Sequence, residues 1–185
     1  MARRSEGEHH GGWVAGARRV ASPNCDSRPA GCEVTLAVLH SISLPRGTYG
    51  GGEIERLFTN TLESTAHPSF ADLDGVKVSA HFLIRRDGEL VQFVPLHQRA
   101  WHAGASRWRG RDRCNDFSIG IELEGVDDDR FEARQYERLA RLLKAIRKIL
   151  PIRHFAAHSD VAPGRKTDPG SKFDWLRLGR DLARP

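Results

Sequence analysis

The chain has 185 residues, a length that suits one domain, and its 39% hydrophobic content can fill one sizeable core. The formal net charge is +5, but the basic residues are scattered and form neither a long tail nor an aromatic-interleaved motif, so we expect a solvated basic surface or an anionic small substrate and no nucleic-acid partner. No stretch approaches the roughly 20 apolar residues of a membrane span, and the first residues lack the apolar segment of a secretory signal, so we expect a cytoplasmic protein without membrane contact.

The N-terminal half is predicted to begin with a tail and continue into a sheet. Residues 1–12 are polar and contain glycine and histidine, which predicts a disordered tail ahead of a single domain over residues 13–185. The apolar run TLAVLH (35–40) is typical of a central strand, and His40 stands at its C-terminal end. Beyond a glycine-rich turn, the apolar residues Ile54, Leu57, Phe58 and Leu62 recur at helical spacing and predict an amphipathic helix.

The rest of the chain alternates between strand and helix patterns. KVSAHFLI (77–84) and ELVQFV (89–94) flank Asp87-Gly88, which predicts a hairpin because glycine accepts the positive φ of a tight turn. FSIGIELEG (117–125) predicts another strand, and apolar spacing predicts a long helix over 132–150 that Pro151 ends. A last short helix is expected around Phe173–Leu178. This order predicts an α/β fold, a single domain with a mixed central β-sheet flanked by helices.

Three residues form a candidate metal site. Catalytic zinc usually takes three protein ligands, and His40, His158 and Asp168 could supply a His/His/Asp set. His158 and Asp168 flank HSDVAPGRKTDPG (158–170), a segment that its prolines and glycines predict to be neither helix nor strand. Spacing alone leaves the site open, because a lone histidine is more often structural and Asp168-Pro169 could simply start a turn.

Two further polar residues are candidates for catalysis. The strand FSIGIELEG alternates, so Glu122 and Glu124 are predicted on the face opposite its aliphatic side chains. Glu122 lies deep in the strand, where a carboxylate is either held in a buried salt bridge or functional as a general base, whereas Glu124 at the strand end is expected to reach water. Lys166 precedes Asp168 by two residues, so an extended backbone would direct both side chains into one cavity.

Several segments in the same order carry a resemblance to a known family. They are LHSISLPRGTYGG (39–51), VSAHFLIRRDGELVQFVP (78–95), RAWHAG (99–104), CNDFSIGIELEG (114–125) and HSDVAPGRKTDPGSKFDW (158–175). The chain resembles the zinc N-acetylmuramoyl-L-alanine amidases, and more narrowly the cytoplasmic 1,6-anhydro-N-acetylmuramyl-L-alanine amidases. The likeness implies the amidase/peptidoglycan-recognition type of fold.

The resemblance implies roles for the five candidate residues. His40, His158 and Asp168 match the positions that hold one Zn²⁺ per chain, Glu122 matches the catalytic glutamate, and Lys166 matches the lysine of the R-K-x-D-P-G motif. The implied reaction is hydrolysis of the amide between the lactyl group of (1,6-anhydro)-N-acetylmuramic acid and L-alanine in muropeptides, during cell-wall recycling. The implied partner is a soluble anhydromuropeptide, and we expect a monomer.

Substrate contacts are implied at Trp101 and Arg113, although Trp101 could equally be a core tryptophan. Two positions depart from the family pattern: Ser41 stands where asparagine is common, and Lys77 stands where arginine is common. Two alternatives stay open at this point, namely a general cell-wall amidase that acts on intact murein and a non-catalytic muropeptide-binding module. His81 and His102 are expected to be structural or to stand behind the ligands, because neither matches a ligand position.

Overall fold

The computed structural model describes residues 9–184, and residues 1–8 of the predicted N-terminal tail lie outside that range. Within it, the strands are β1 (His9–His10), β2 (Trp13–Val14), β3 (Arg18–Arg19), β4 (Cys25–Ser27), β5 (Leu36–Ile42), β6 (Phe82–Ile84), β7 (Leu90–Gln92), β8 (Gln98–Ala100), β9 (Arg107–Trp108), β10 (Arg111–Asp112), β11 (Ser118–Glu124) and β12 (His154–Ala157). The α-helices are α1 (Glu53–Phe58), α2 (Ala133–Arg147), α3 (His158–Val161) and α4 (Trp175–Ala183), and Pro68–Leu73 and Cys114–Phe117 are 3-10 helices.

The central sheet has the strand order β12-β5-β11-β6-β7-β3. All neighbouring strands in it run parallel except β6 and β7, which form an antiparallel hairpin. The predicted hairpin is therefore confirmed, and Gly88 in its turn has a φ of 88° that other residues rarely adopt. The predicted α/β class, with a mixed central sheet flanked by helices, is confirmed as well.

Alternation along β5 divides its side chains between two cores. Ala37 and Leu39 pack in the core that contains the buried face of α2, whereas Leu36 and Val38 pack in a second core with Phe117 and the short helix α3. Because side chains alternate along a strand, His40 lies on the same face as Leu36 and Val38, away from α2. The sheet therefore separates a purely structural face from the face that carries the polar candidates.

The long helix α2 confirms the prediction over 132–150, with an end a few residues earlier at Arg147. Its buried positions include Tyr136, Leu139, Leu143 and Ile146, and each buried aliphatic side chain contributes roughly 1.5–3 kcal/mol by leaving water. Gln135 attaches the helix to the sheet, since its Nε2 donates to the backbone oxygens of Ile84 at 3.2 Å and Glu124 at 3.0 Å.

Other local predictions were wrong in their extent. Only Phe82–Ile84 of the run 77–84 is a strand, because the backbone N–H groups of Ser79 and His81 donate to Trp101 and Gly120 outside a regular ladder. The predicted last helix begins at Trp175, so Phe173 precedes it. The strand β12 was not predicted, and neither was the one-turn helix α3 at the start of the segment 158–170.

No helix between residues 9 and 184 combines the length and the apolar composition that crossing a bilayer needs.

Candidate active site

The candidate residues meet where three parallel strands end. In the register of the sheet, His40 of β5 lies beside Glu122 of β11, and Leu39 lies beside Ala157 of β12. His158 follows Ala157 directly, so the chain places it on the other side of His40 from Glu122. The carboxyl ends of neighbouring parallel strands are a common place for ligand sites, because the side chains that leave them converge at one edge.

His40, His158 and Asp168 form a compact group of donor atoms. The Nδ1 atoms of the two histidines are 2.9 Å apart, and Oδ2 of Asp168 is 3.0 Å from Nδ1 of His158 and 3.2 Å from Nδ1 of His40. No other group of three or more His, Cys, Asp or Glu residues between positions 9 and 184 has its ligand atoms this close together. Both histidines are buried and Asp168 is half-buried, so the three donors face one another away from bulk solvent.

The electrostatic environment suits a neutral imidazole of His40 beside an ionised carboxylate of Asp168. Burial is the main reason that the pKa of His40 is lowered to about 4. For Asp168, burial alone would raise the pKa, but the imidazoles of His158 and His40 outweigh it and hold the pKa well below its usual value. Metal ligands must be deprotonated in the same way, so His40 and Asp168 are in the form that a divalent cation needs.

Glu122 is buried without a hydrogen-bonded counter-charge. It is 8% exposed, its Oε2 has no hydrogen-bond partner, and its Oε1 is 4.0 Å from Nδ1 of His40. Burial, helped by the negative charge of Asp168, raises the pKa of Glu122 well above its ordinary value, while Lys166 acts in the opposite direction. A buried carboxyl group with a raised pKa beside a cluster of potential metal ligands is a candidate for both accepting and donating a proton.

Glu124, two residues along the same strand, has the environment that was considered for Glu122. The expectation that Glu124 reaches water is wrong, because it is only 2% exposed. Its Oε1 accepts from Nη1 of Arg85 at 3.1 Å and from the backbone N–H of Gly50 at 2.8 Å, and its Oε2 accepts from the N–H of Arg86 at 3.1 Å. The buried salt bridge of this strand therefore belongs to Glu124, and Glu122 is left as the free carboxylate.

Lys166 and Asp168 line the same open cleft, which has a volume of about 410 Å³ and is also bordered by Ser41, Arg46 and Arg165. Burial has the largest influence on the pKa of His40 and of Glu122, and the positive charge of Lys166 acts to lower both. A larger cavity of about 660 Å³ lies between the loop after β5 and the 3-10 helix at 68–73 and includes none of the predicted site residues. We assign the site from the convergent ionisable groups, since cavity volume alone carries no chemistry.

The two residues predicted to contact the substrate, Trp101 and Arg113, differ in their burial. Trp101 is half-buried, and its backbone exchanges hydrogen bonds with Ser79. The side chain of Arg113 is 70% exposed and lies 3.3 Å from a carboxylate oxygen of Asp116. An exposed guanidinium can contact a ligand without a large desolvation cost. The roles of Arg113 and Trp101 in substrate binding stay predictions. Of the departing positions, Ser41 is in the cleft and Lys77 is exposed outside it.

Of the residues that support the site, Ser118 and Asn115 were given no role in it from the sequence, whereas His102 was expected to be structural or to stand behind the ligands. His102 contacts His40, and Ser118 contacts His102. Asn115 uses Oδ1 to accept the N–H groups of His102 at 3.2 Å and Ala103 at 2.8 Å, which holds the segment 102–103 in position. The sequence signal for His102 was its place inside RAWHAG, but that segment does not reveal its partner His40, which is 62 residues away in the chain.

Arg165 and Asp127 connect the loops around the cleft. Nη2 of Arg165 donates to the carbonyl oxygens of Ala103 at 2.6 Å and Ala105 at 2.8 Å. The carboxylate of Asp127 accepts from the hydroxyl of Thr167 at 2.6 Å and from Arg46 at 2.9 Å. These contacts attach the loop that carries Asp168 to two other segments, so the position of Asp168 depends on tertiary structure.

Comparison with known proteins gives a consistent picture. Residues 30–171 match the family model described as N-acetylmuramoyl-L-alanine amidase. The protein called 1,6-anhydro-N-acetylmuramyl-L-alanine amidase AmpD from Escherichia coli (strain K12) is 54% identical over 169 residues, which cover 90% of this chain and 92% of that protein.

Solved structures are similar as well. A crystal structure of a selenomethionine AmpD derivative superposes with a TM-score of 0.90 at 51% identity, covering 94% of this chain and 98% of that one. A second structure, of the E. coli amidase AmiD in complex with the substrate anhydro-N-acetylmuramic acid-L-Ala-D-gamma-Glu-L-Lys, has a TM-score of 0.58 at 30% identity, covering 83% of this chain and 60% of that one.

Proposed function

Because the chain belongs to the N-acetylmuramoyl-L-alanine amidase family and is therefore an amide hydrolase, we propose that it cleaves the bond between the lactyl group of 1,6-anhydro-N-acetylmuramic acid and L-alanine. The proposal extends to one zinc ion per chain, held by His40, His158 and Asp168. The observation that carries it is the convergence of these three donors beside the unpaired carboxylate of Glu122.

The donor set fits zinc in both chemistry and spacing. Imidazole nitrogen and carboxylate oxygen are common zinc ligands, and tetrahedral zinc with bonds of about 2.0–2.1 Å needs donor atoms about 3.3 Å apart. The three donor atoms here are 2.9–3.2 Å apart, which is close to that value. When bound, zinc would supply Lewis-acid polarisation of the scissile carbonyl and of the attacking water.

The remaining chemistry is assigned to two side chains of the chain itself. Glu122 accepts the proton of the attacking water through its free carboxylate oxygen and then delivers it to the departing amine of L-alanine. Its raised pKa favours return of the proton after the carboxylate has accepted it. Lys166 lines the cleft together with Asp168, and its positive charge stabilises the oxyanion that forms at the lactyl carbonyl.

The cleft also suits an anionic peptide. Arg46, Arg165 and Lys166 border it, although Arg46 is already paired with Asp127 and Asp128. We assign peptide carboxylates to these cations and to the exposed Arg113, and the sugar or the peptide to the face of Trp101. The preference for the 1,6-anhydro sugar is proposed from the name of the 54% identical E. coli relative and from the substrate in the AmiD complex. The same relationship supports a role in cell-wall recycling. We propose further that the protein acts as a monomer in the cytoplasm.

The test measures cleavage of three substrates by the purified, zinc-loaded protein. We expect release of the peptide from 1,6-anhydro-N-acetylmuramyl tripeptide to be much faster than from N-acetylmuramyl tripeptide, and release from intact sacculi to be slow. Faster cleavage of sacculi would support the general cell-wall amidase instead. Binding of muropeptide without any cleavage would support the binding module, and a protein that holds no zinc after addition of the metal would contradict the proposed site.

A further inference from the structure

A chain of hydrogen bonds extends from the candidate metal ligand His40 into the core of the protein. Nε2 of His40 is 3.0 Å from Nδ1 of His102, and Nε2 of His102 is 3.1 Å from Oγ of Ser118. The Ser118 hydroxyl is in turn 2.6 Å from the carbonyl oxygen of Cys114. His40, His102 and Ser118 are all buried, so these contacts replace water for every polar atom involved.

The end of this chain determines the direction of each hydrogen bond. The carbonyl of Cys114 can only accept, so the single proton of the Ser118 hydroxyl is donated to it. The Ser118 oxygen is then an acceptor for His102, which must carry its proton on Nε2. A neutral imidazole has one N–H group, so Nδ1 of His102 carries a lone pair and accepts from Nε2–H of His40.

The consequence lies at the metal-facing side of His40. With its proton on Nε2, His40 carries a lone pair on Nδ1, the atom that faces Nδ1 of His158 and Oδ2 of Asp168. The opposite tautomer would direct an N–H group at the position of a cation. Metal-binding histidines depend on the partner of their other ring nitrogen in this way, because that partner sets both tautomer and orientation.

The fold makes room for this arrangement. Gly120, which is next to Glu122 on the same face of β11, lies against the ring of His102, and a Cβ atom at Gly120 would be 2.4 Å from Cγ of His102. Asn115 holds the backbone of His102 by accepting its N–H group at 3.2 Å. The ring of His102 is therefore held against β11, and its backbone is held by Asn115.

We propose that His102, with Ser118 behind it, is a positioning residue that holds His40 in the tautomer whose Nδ1 is free to bind the metal. This inference rests on the proposed function only in taking His40 as a metal ligand. It assigns no contact between His102 and the substrate.

Two substitutions of His102 separate hydrogen bonding from packing. In His102→Asn, the side-chain oxygen can occupy the position of Nδ1 and still accept from His40, whereas His102→Leu has the same branching at Cγ without an acceptor. We expect zinc affinity, measured by competition with a chromophoric chelator, to fall by about 10–100-fold in His102→Leu and to stay near that of the wild type in His102→Asn. Ser118→Ala, which removes a single hydroxyl, should lower zinc affinity less than His102→Leu.

A second measurement does not depend on the metal. Imidazole ¹⁵N NMR of the metal-free wild type should show Nδ1 of His40 as an unprotonated ring nitrogen, and Ser118→Ala should populate both tautomers of His40. The inference is overturned if Nδ1 of His40 is protonated in the wild type, or if His102→Asn loses as much zinc affinity as His102→Leu. If His102→Leu does not fold, unchanged tautomer and affinity in Ser118→Ala overturn it. A wild-type protein that binds no zinc would refute the proposed function and leave the tautomer result standing.

Discussion

Glu122 and Glu124 lie two residues apart on one buried strand and should respond in opposite ways to the same substitution. We predict that Glu122→Gln stabilises the metal-free protein and lowers the activity of the zinc-loaded protein. Glu122 is 8% exposed with an oxygen that has no hydrogen-bond partner, and a buried polar group in that state costs about 1–3 kcal/mol. Glu124→Gln is the matched control, because it removes the same charge from a carboxylate that is paired with Arg85 at 3.1 Å.

The two substitutions should change the free energy of unfolding in opposite directions. Breaking a buried pair by removing one partner costs about 3–5 kcal/mol, and Glu124→Gln should approach the lower end because Arg85 keeps Glu55 and Glu89 as partners. Glu122→Gln keeps a buried polar side chain but removes its unpaired charge, so it should raise the free energy of unfolding by about 1–3 kcal/mol at alkaline pH, where Glu122 is ionised. General acid–base catalysis contributes about 10²–10⁴-fold, so the zinc-loaded Glu122→Gln protein should lose about that factor in kcat, while folded Glu124→Gln keeps its activity.

The pH dependence of the Glu122 effect follows from its raised pKa. The folded protein holds this proton more tightly than the unfolded chain, so the contribution of Glu122 to stability is complete below its ordinary pKa of 4.5 and is lost as the pH rises through the raised folded value. The difference between Glu122→Gln and the wild type should therefore be small in mild acid and grow toward alkaline pH. Urea denaturation of both metal-free proteins across this range measures it. A Glu122→Gln protein that is less stable than the wild type at alkaline pH, or fully active, would refute the reasoning.

Three further predictions concern the cleft. Lys166→Met should lower kcat by about 10²–10³-fold with unchanged zinc stoichiometry, since it removes one charge that stabilises the oxyanion; an unchanged kcat would exclude that role. Asp168→Ala should leave two nitrogen donors and lose zinc on dialysis, and metal analysis that still finds one equivalent would remove Asp168 from the ligand set. Arg165→Met should lower the free energy of unfolding by about 1 kcal/mol, because the hydrogen bonds to Ala103 and Ala105 are lost. Faster amide hydrogen exchange in the segment 103–105 would show that the loss is local, and unchanged exchange there would contradict the assignment.

Much of this architecture could be predicted because it depends on local patterns. Alternation placed Glu122 on the opposite face from Ile121 and Leu123, helical spacing located α2, and Asp87-Gly88 located the hairpin. The strand β12 was missed because it has only four residues and its sequence, HFAA, includes a polar residue and gives no alternating pattern. The helix α3 was missed because the prolines and glycines of the segment 158–170, which predicted an irregular backbone, all come after its single turn. Asp160 stabilises that turn by accepting the N–H of Ala157 at 2.8 Å.

The sequence by itself determined the fold class, the family resemblance and the five candidate residues, since all of these depend on residue types and their spacing along the chain. Only the tertiary structure decided which of the two glutamates is free, because the partner of Glu124, Arg85, is 39 residues distant in sequence. It also decided that His102 stands behind His40. Burial and hydrogen-bond partners arise when distant segments pack together, and these two properties give otherwise similar side chains different chemistry.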